Sequence, residues 1–201
     1  MNKKTNLAVF VSGSGSNLQA LIDAKIPNVD IHVVVSNNPA AYAIERARKN
    51  KIAVEVIDHR NYSSREGFEK EILRKLDPYN IDLIALAGFM RIFSSLFIRN
   101  YKNKIMNLHP ALLPSFPGTN AVKQALMYGV KFTGCTVHFV DEGVDTGPII
   151  LQSVVPIYDT DTEQSLLEKI HKEEHRIYPE AIRLFTEEKL KIHGRRVLVS
   201  D

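Results

Sequence analysis

The sequence predicts an α/β fold, a mostly parallel sheet flanked by helices, with added strands and one long helix towards the C-terminal end. Three observations lead there. Short apolar, β-branched runs alternate with stretches of helical spacing through the first half, as in sheets built by helical crossovers. The runs read as strands buried on both faces. After Gly129 the alternation gives way to two strand-like runs around a turn-rich segment, DEGVDTGP.

In order, residues 7–12, 31–36, 53–58 and 82–89 read as strands, with 105–109 a shorter one. Between them, 17–25, 40–50 and 64–76 have helical spacing, and 121–128 follows the fifth strand. Residues 132–140 and 149–157 are the added strands, expected to be antiparallel. Residues 162–188 read as one helix that Pro179 should break or kink. Residues 189–193 and 195–199 form a small hairpin about Gly194. No repeat, low-complexity tract or linker interrupts the chain, so residues 1–201 are expected to form a single domain.

Composition narrows the function. A hydrophobic fraction of 44% allows a sizeable core. The 26 Lys and Arg against 23 Asp and Glu leave +3, too little and too evenly spread for an electrostatic nucleic-acid binder. The single cysteine, Cys135, excludes an internal disulfide and reads as a small core residue in TGCTVHF. The N-terminal MNKKTN runs into a strand without a long apolar stretch, so no signal peptide is expected. No 18-residue apolar run is present, so no membrane span is expected either, and the default is a soluble cytoplasmic protein.

Ligands of such sheets sit beyond the carboxyl ends of the strands, here SGSGSN, AGFMRIF and NLHPALLP. The first carries Gly13 and Gly15 for a tight turn, before a helix starting at Ser16 or Asn17. A helix N-terminus behind glycines is a phosphate or carboxylate seat; a plain capped turn is the other reading. The loop lacks the lysine of a Walker motif, and Ser36-Asn37-Asn38 replaces the acidic residue of a dinucleotide fold. In the third, Asn107 and His109 are two apart on a strand and face one side. An amide beside an imidazole suits acyl or formyl transfer, polarising a carbonyl and holding the oxyanion of a tetrahedral intermediate. A core histidine is the alternative. Asp141, Glu142 and Asp145 in DEGVDTGP supply carboxylates, and one of them paired with His109 would favour the imidazolium; otherwise the segment is a solvated acidic turn.

Together, GSGSNL, AGFMRIF, NLHPALLPSFPG, TGCTVHFVDEGVDTGPII and EEHRIYPEA, in this order over about residues 7–199, resemble the folate-dependent phosphoribosylglycinamide (glycinamide ribonucleotide) formyltransferases. The resemblance implies a formyltransferase-type domain with a Rossmann-like sheet. It implies transfer of a formyl group from 10-formyltetrahydrofolate to glycinamide ribonucleotide in purine biosynthesis, with no metal. By motif, Asn107 and His109 are the implied catalytic pair, and Asp145 the carboxylate keeping the histidine protonated. Gly15, Ser16 and Asn17 are the implied phosphate loop, and Glu174 the contact to the glycinamide end. Arg65 and Met90-Arg91-Ile92-Phe93 are the implied folate site, with Asn107 shared by both substrates. Small-molecule substrates, no nucleic acid, no membrane, and a monomer or homodimer follow as expected partners. Ser14, Ala111, Asn120 and Val122 depart from residues common in the family and touch only secondary contacts. His171, one turn before Glu174, reads as an exposed helix histidine, with a contact to the phosphate as the other reading.

Two alternatives remain. Water replaces the amine in formyltetrahydrofolate hydrolases. A metal-dependent hydrolase would instead use His109, His138 and Asp145 as a two-histidine, one-carboxylate site.

Overall fold

The computed structural model describes residues 4–200; the first three residues of MNKKTN, on which the signal-peptide reading partly rests, and Asp201 lie outside the described residues. The chain falls into two compact units, with the boundary between Met106 and Asn107.

The first unit alternates β1 (Thr5–Val11), α1 (Ser16–Asp23), β2 (Val29–Ser36), α2 (Ala43–Lys49), β3 (Ala53–Val56), α3 (Arg65–Leu76), β4 (Leu83–Leu86) and α4 (Ser95–Asn100). Its strands run in the order β3-β2-β1-β4, and every pair is parallel. Leu7 to Val11 are all 0% exposed, so the central strand is covered on both faces, which explains its unbroken apolar run.

Two strand ends and one short helix stand out against the sequence reading. The fourth strand stops at Leu86 rather than residue 89, because Gly88 takes φ 76° and turns the chain out of the sheet. Phe89 then leaves the ladder and meets the Phe10 ring edge-on at 5.2 Å. The third strand stops at Val56 because Asp58 caps a short 3₁₀ turn, accepting the Arg60 N–H at 3.0 Å. The six-residue α4 was hidden in the apolar run that follows the fourth strand.

The second unit takes over within β5 (Ile105–His109) and continues through α5 (Ala121–Tyr128), β6 (Phe132–Phe139), β7 (Ile149–Pro156), α6 (Glu163–Thr186), β8 (Leu190–His193) and β9 (Arg196–Val199). The β6–β7 pair is antiparallel, as expected, and β8–β9 is the antiparallel hairpin about Gly194. The turn between β6 and β7 closes tightly, and a Cβ on Gly147 would lie 1.7 Å from the Phe139 carbonyl oxygen.

Pro179 does not break α6, which runs unbroken for 24 residues. A proline inside a helix costs about 3 kcal/mol. Against that, Leu166, Ile170, Ile177, Tyr178, Ala181 and Ile182 form a buried stripe facing β6 and β7. Burying each large side chain contributes about 1.5–3 kcal/mol, so packing wins. The helix also begins on a reciprocal cap between Thr162 and Ser165. Cys135 is fully buried in β6, and burial pushes its thiol up to about 12, as befits a core residue. Among the described residues no helix is long and apolar enough to cross a membrane.

Candidate active site

The chemistry-bearing residues of the second unit gather around one carboxylate. Asp145 sits on the turn after β6 at φ 53°, a left-handed conformation that aspartate adopts more readily than most side chains. Its Oδ2 lies 3.3 Å from His109 Nδ1 and accepts the Gly118 N–H at 2.8 Å. Its Oδ1 accepts from the Asn107 amide at 3.2 Å and lies 3.6 Å from His138 Nε2. The strand pleat has placed Asn107 and His109 on one side, as their spacing required, and the carboxylate reaches both.

Burial is the largest influence on Asp145 and favours its neutral form. Hydrogen bonding to His138 and from the Gly118 N–H, together with the charges of His109 and His138, outweighs it and holds the carboxyl below its ordinary range.

His109 is only 4% exposed, and both its ring nitrogens face oxygen. Nδ1 meets Asp145 while Nε2 meets the Phe116 carbonyl at 2.8 Å. Phe116 has φ 53°, unusual for a bulky residue, so the connection after β5 is wound tightly over the ring.

His138 entered the sequence reading only as a candidate metal ligand, yet it belongs to this cluster. Its Nδ1 donates to the Phe139 carbonyl at 2.9 Å, and its Nε2 lies 3.2 Å from the Asn107 amide nitrogen. The ring therefore stands against that amide and limits where it can turn. No local signal could have revealed this, because residues 107 and 138 meet only through the strand order β5-β6. A metal would need lone pairs converging on a shared open point, but His109 Nδ1 and His138 Nε2 point at the two oxygens of Asp145 itself. No group of three or more His, Cys, Asp or Glu among the described residues is arranged to hold a metal ion.

This constellation is set in a chain whose residues 5–182 match the family described as "Formyl transferase". The chain belongs to the formyl transferase family. It is 41% identical, over 94% of its length and 90% of the relative's, to the phosphoribosylglycinamide formyltransferase of Escherichia coli strain K12. It is 48% identical to the trifunctional purine biosynthetic protein adenosine-3 of Drosophila melanogaster, of which it spans only 14%. The solved glycinamide ribonucleotide transformylase 1 from Symbiobacterium toebii superimposes with a TM-score of 0.96 at 48% identity, over 98% of this chain and 95% of that one.

Gly15 is the αL cap of α1, which starts at Ser16 and Asn17 with no side-chain cap. Gly15 serves packing as well, since a Cβ there would lie 2.6 Å from Ala43 Cβ and 2.9 Å from its Cα, on α2. Gly15→Val therefore combines a left-handed penalty of about 1–2 kcal/mol with overpacking of about 1–3 kcal/mol. At roughly 2–4 °C per kcal/mol, its melting temperature should fall by about 10 °C. An unchanged melting curve would contradict the close α1–α2 approach. A Cβ added at Gly13 would meet nothing within 4 Å, which makes that glycine the cleaner place to probe ligand contact.

Arg65 opens α3, and Arg91 lies beyond β4; both are exposed, and neither has an ion pair among the described residues. Met90 and Ile92 face solvent, whereas Phe93 is buried, so only part of the Met90-to-Phe93 stretch is open to a ligand. Glu174 is buried on the inner face of α6, 3.9 Å from His171 Nε2. His171 is half-buried, not exposed as the sequence suggested. It stacks on His175 at 6.1 Å, and burial lowers the pKa of both rings.

Proposed function

We propose that this chain transfers the formyl group of 10-formyltetrahydrofolate to the amine of glycinamide ribonucleotide, in purine biosynthesis. The observation that carries this reading is the Asp145 carboxylate joined to both Asn107 and His109. The amine attacks the formyl carbon, and negative charge collects on the formyl oxygen. His109 and the Asn107 amide stabilise that oxygen, each contributing about 3 kcal/mol. The proton lost by the amine passes through His109 or a water held beside Asp145 to the folate nitrogen that carried the formyl group, and tetrahydrofolate departs as the tetrahedral intermediate collapses.

The Phe116 carbonyl now fills the acceptor position at His109 Nε2. It has to give way for the formyl oxygen, as the His138 contact of Asn107 does for the second donor.

The remaining roles belong to the same proposal. Gly15, Ser16 and Asn17 seat the phosphate through a helix N-terminus. Glu174 meets the glycinamide end. Arg65, Met90, Arg91, Ile92 and Phe93, with Asn107, hold the folate, whose carboxylates suit the exposed arginines. No metal takes part. A cytoplasmic enzyme acting as one domain over residues 1–201, monomeric or homodimeric and without nucleic-acid or membrane partners, completes the reading.

The deciding experiment measures formyl release from 10-formyltetrahydrofolate with and without glycinamide ribonucleotide. Release should require the ribonucleotide. Release at the same rate in its absence would replace the transferase reading with the hydrolase.

A further inference from the structure

Residues 90–93 pose a physical problem. Met90 is 73% exposed and Ile92 57% exposed, on backbone that belongs to neither helix nor strand. Apolar side chains on irregular backbone normally fold inward or move freely, yet here both ends of the segment are tied down.

At the first end the Met90 N–H donates to Ser12 Oγ at 2.9 Å, and that hydroxyl donates to Asn37 Oδ1 at 2.6 Å. Asn37 is itself buried at the end of β2. At the second end the Ser94 N–H donates to Glu69 Oε1 at 2.7 Å, and the Ser94 hydroxyl donates to the other oxygen of that carboxylate. Glu69, on α3, is 0% exposed, and no Lys, Arg or His pairs with it among the described residues. Between the ties, Phe93 stacks on Phe89 at 5.5 Å and on Phe97 at 4.2 Å.

A buried carboxylate without a cation is an expensive partner for Ser94, whose N–H and hydroxyl water at a helix end could satisfy. What Glu69 adds is a fixed endpoint. We propose that Glu69 and Ser12 are positioning residues that clamp the two ends of residues 90–93, so that Met90, Arg91 and Ile92 meet the folate already ordered. Nothing then has to be immobilised when the folate binds, which is how a rigid segment gains affinity. The inference rests on the folate reading of this segment made above.

Steady-state kinetics with 10-formyltetrahydrofolate and glycinamide ribonucleotide test it. Glu69→Ala should raise the Michaelis constant for the folate about tenfold, equivalent to about 1.4 kcal/mol. The constant for the ribonucleotide should stay within about twofold, a split that general unfolding does not produce. Glu69→Gln keeps an acceptor for the Ser94 N–H and should recover most of the loss. If Glu69→Ala does not fold, Ser94→Ala carries the test, with a rise of about threefold for the folate alone. At the other end, hydrogen exchange of the Met90 amide should accelerate about tenfold in Ser12→Ala while the β1 amides stay protected.

A folate constant unmoved by Glu69→Ala and Ser94→Ala overturns the clamp, and so does an equal rise for both substrates. Ile92→Ala separates this from failure of the underlying reading. If it too leaves the folate constant unmoved, the segment is not the folate site; if it alone raises that constant, only the clamp is wrong.

Discussion

Asp145→Asn should lower kcat by about three orders of magnitude while both substrates still bind. The size is set about one decade below the roughly 10⁴-fold loss that follows when the carboxylate behind a catalytic histidine is replaced by its amide. The backbone tolerates the change, because asparagine accepts φ 53° as readily as aspartate. With its oxygen placed at Oδ2, the new side chain still accepts the Gly118 N–H and still faces His109 Nδ1. Its amino group then lies at Oδ1, opposite the Asn107 amide, so two donors confront each other where a donor met an acceptor. The negative charge beside the ring is gone.

The same substitution has a signature in stability. Asp145 is held below its ordinary range in the folded protein. Its stabilising contribution is therefore fully present above the unfolded value of about 3.9 and is lost as pH falls through the lowered folded value. Thermal melting of the parent and of Asp145→Asn should differ at neutral pH and converge in strong acid. Loss of substrate binding on the scale of the lost turnover would refute the assignment, as would a kcat within tenfold of the parent.

Asn107→Asp should be nearly as damaging, for the opposite electrostatic reason. It replaces the amide donor with a carboxylate 3.2 Å from Asp145 Oδ1. Two carboxylates at that distance cannot both stay ionised at low cost, so one is pushed to bind a proton well above the usual range. At neutral pH the oxyanion loses a donor and gains a repelling charge, and kcat should fall by about 10²–10³-fold. As pH drops, the introduced carboxyl takes up a proton and can donate again. Activity of this variant should then rise towards acid, where the parent shows no such rise. A flat profile, or one falling in parallel with the parent's, would mean that Asn107 does not face the developing charge.

Several features were legible along the chain because they depend on neighbours a few residues apart. Strand and helix periods placed nearly every element, and the pleat put Asn107 and His109 on one side of β5. The motif order also pointed to the family and to Asp145. Where local reasoning failed, longer-range packing had overruled it. Pro179 stayed inside α6 because a buried stripe outweighs one missing hydrogen bond. The strand after Asp82 ended early because Gly88 turns the chain at φ 76° and Phe89 then packs on Phe10.

The sequence by itself determined the fold class, the order of the elements and the pairing of an amide with an imidazole, since each is written in spacing and residue type. Only the tertiary structure decided that His138 stands against the Asn107 amide, that the Phe116 carbonyl sits on His109, and that a buried Glu69 holds Ser94. These contacts join residues that strand order and loop closure bring together. A hydrogen bond is decided within a few tenths of an ångström, a precision that residue spacing along the chain does not carry.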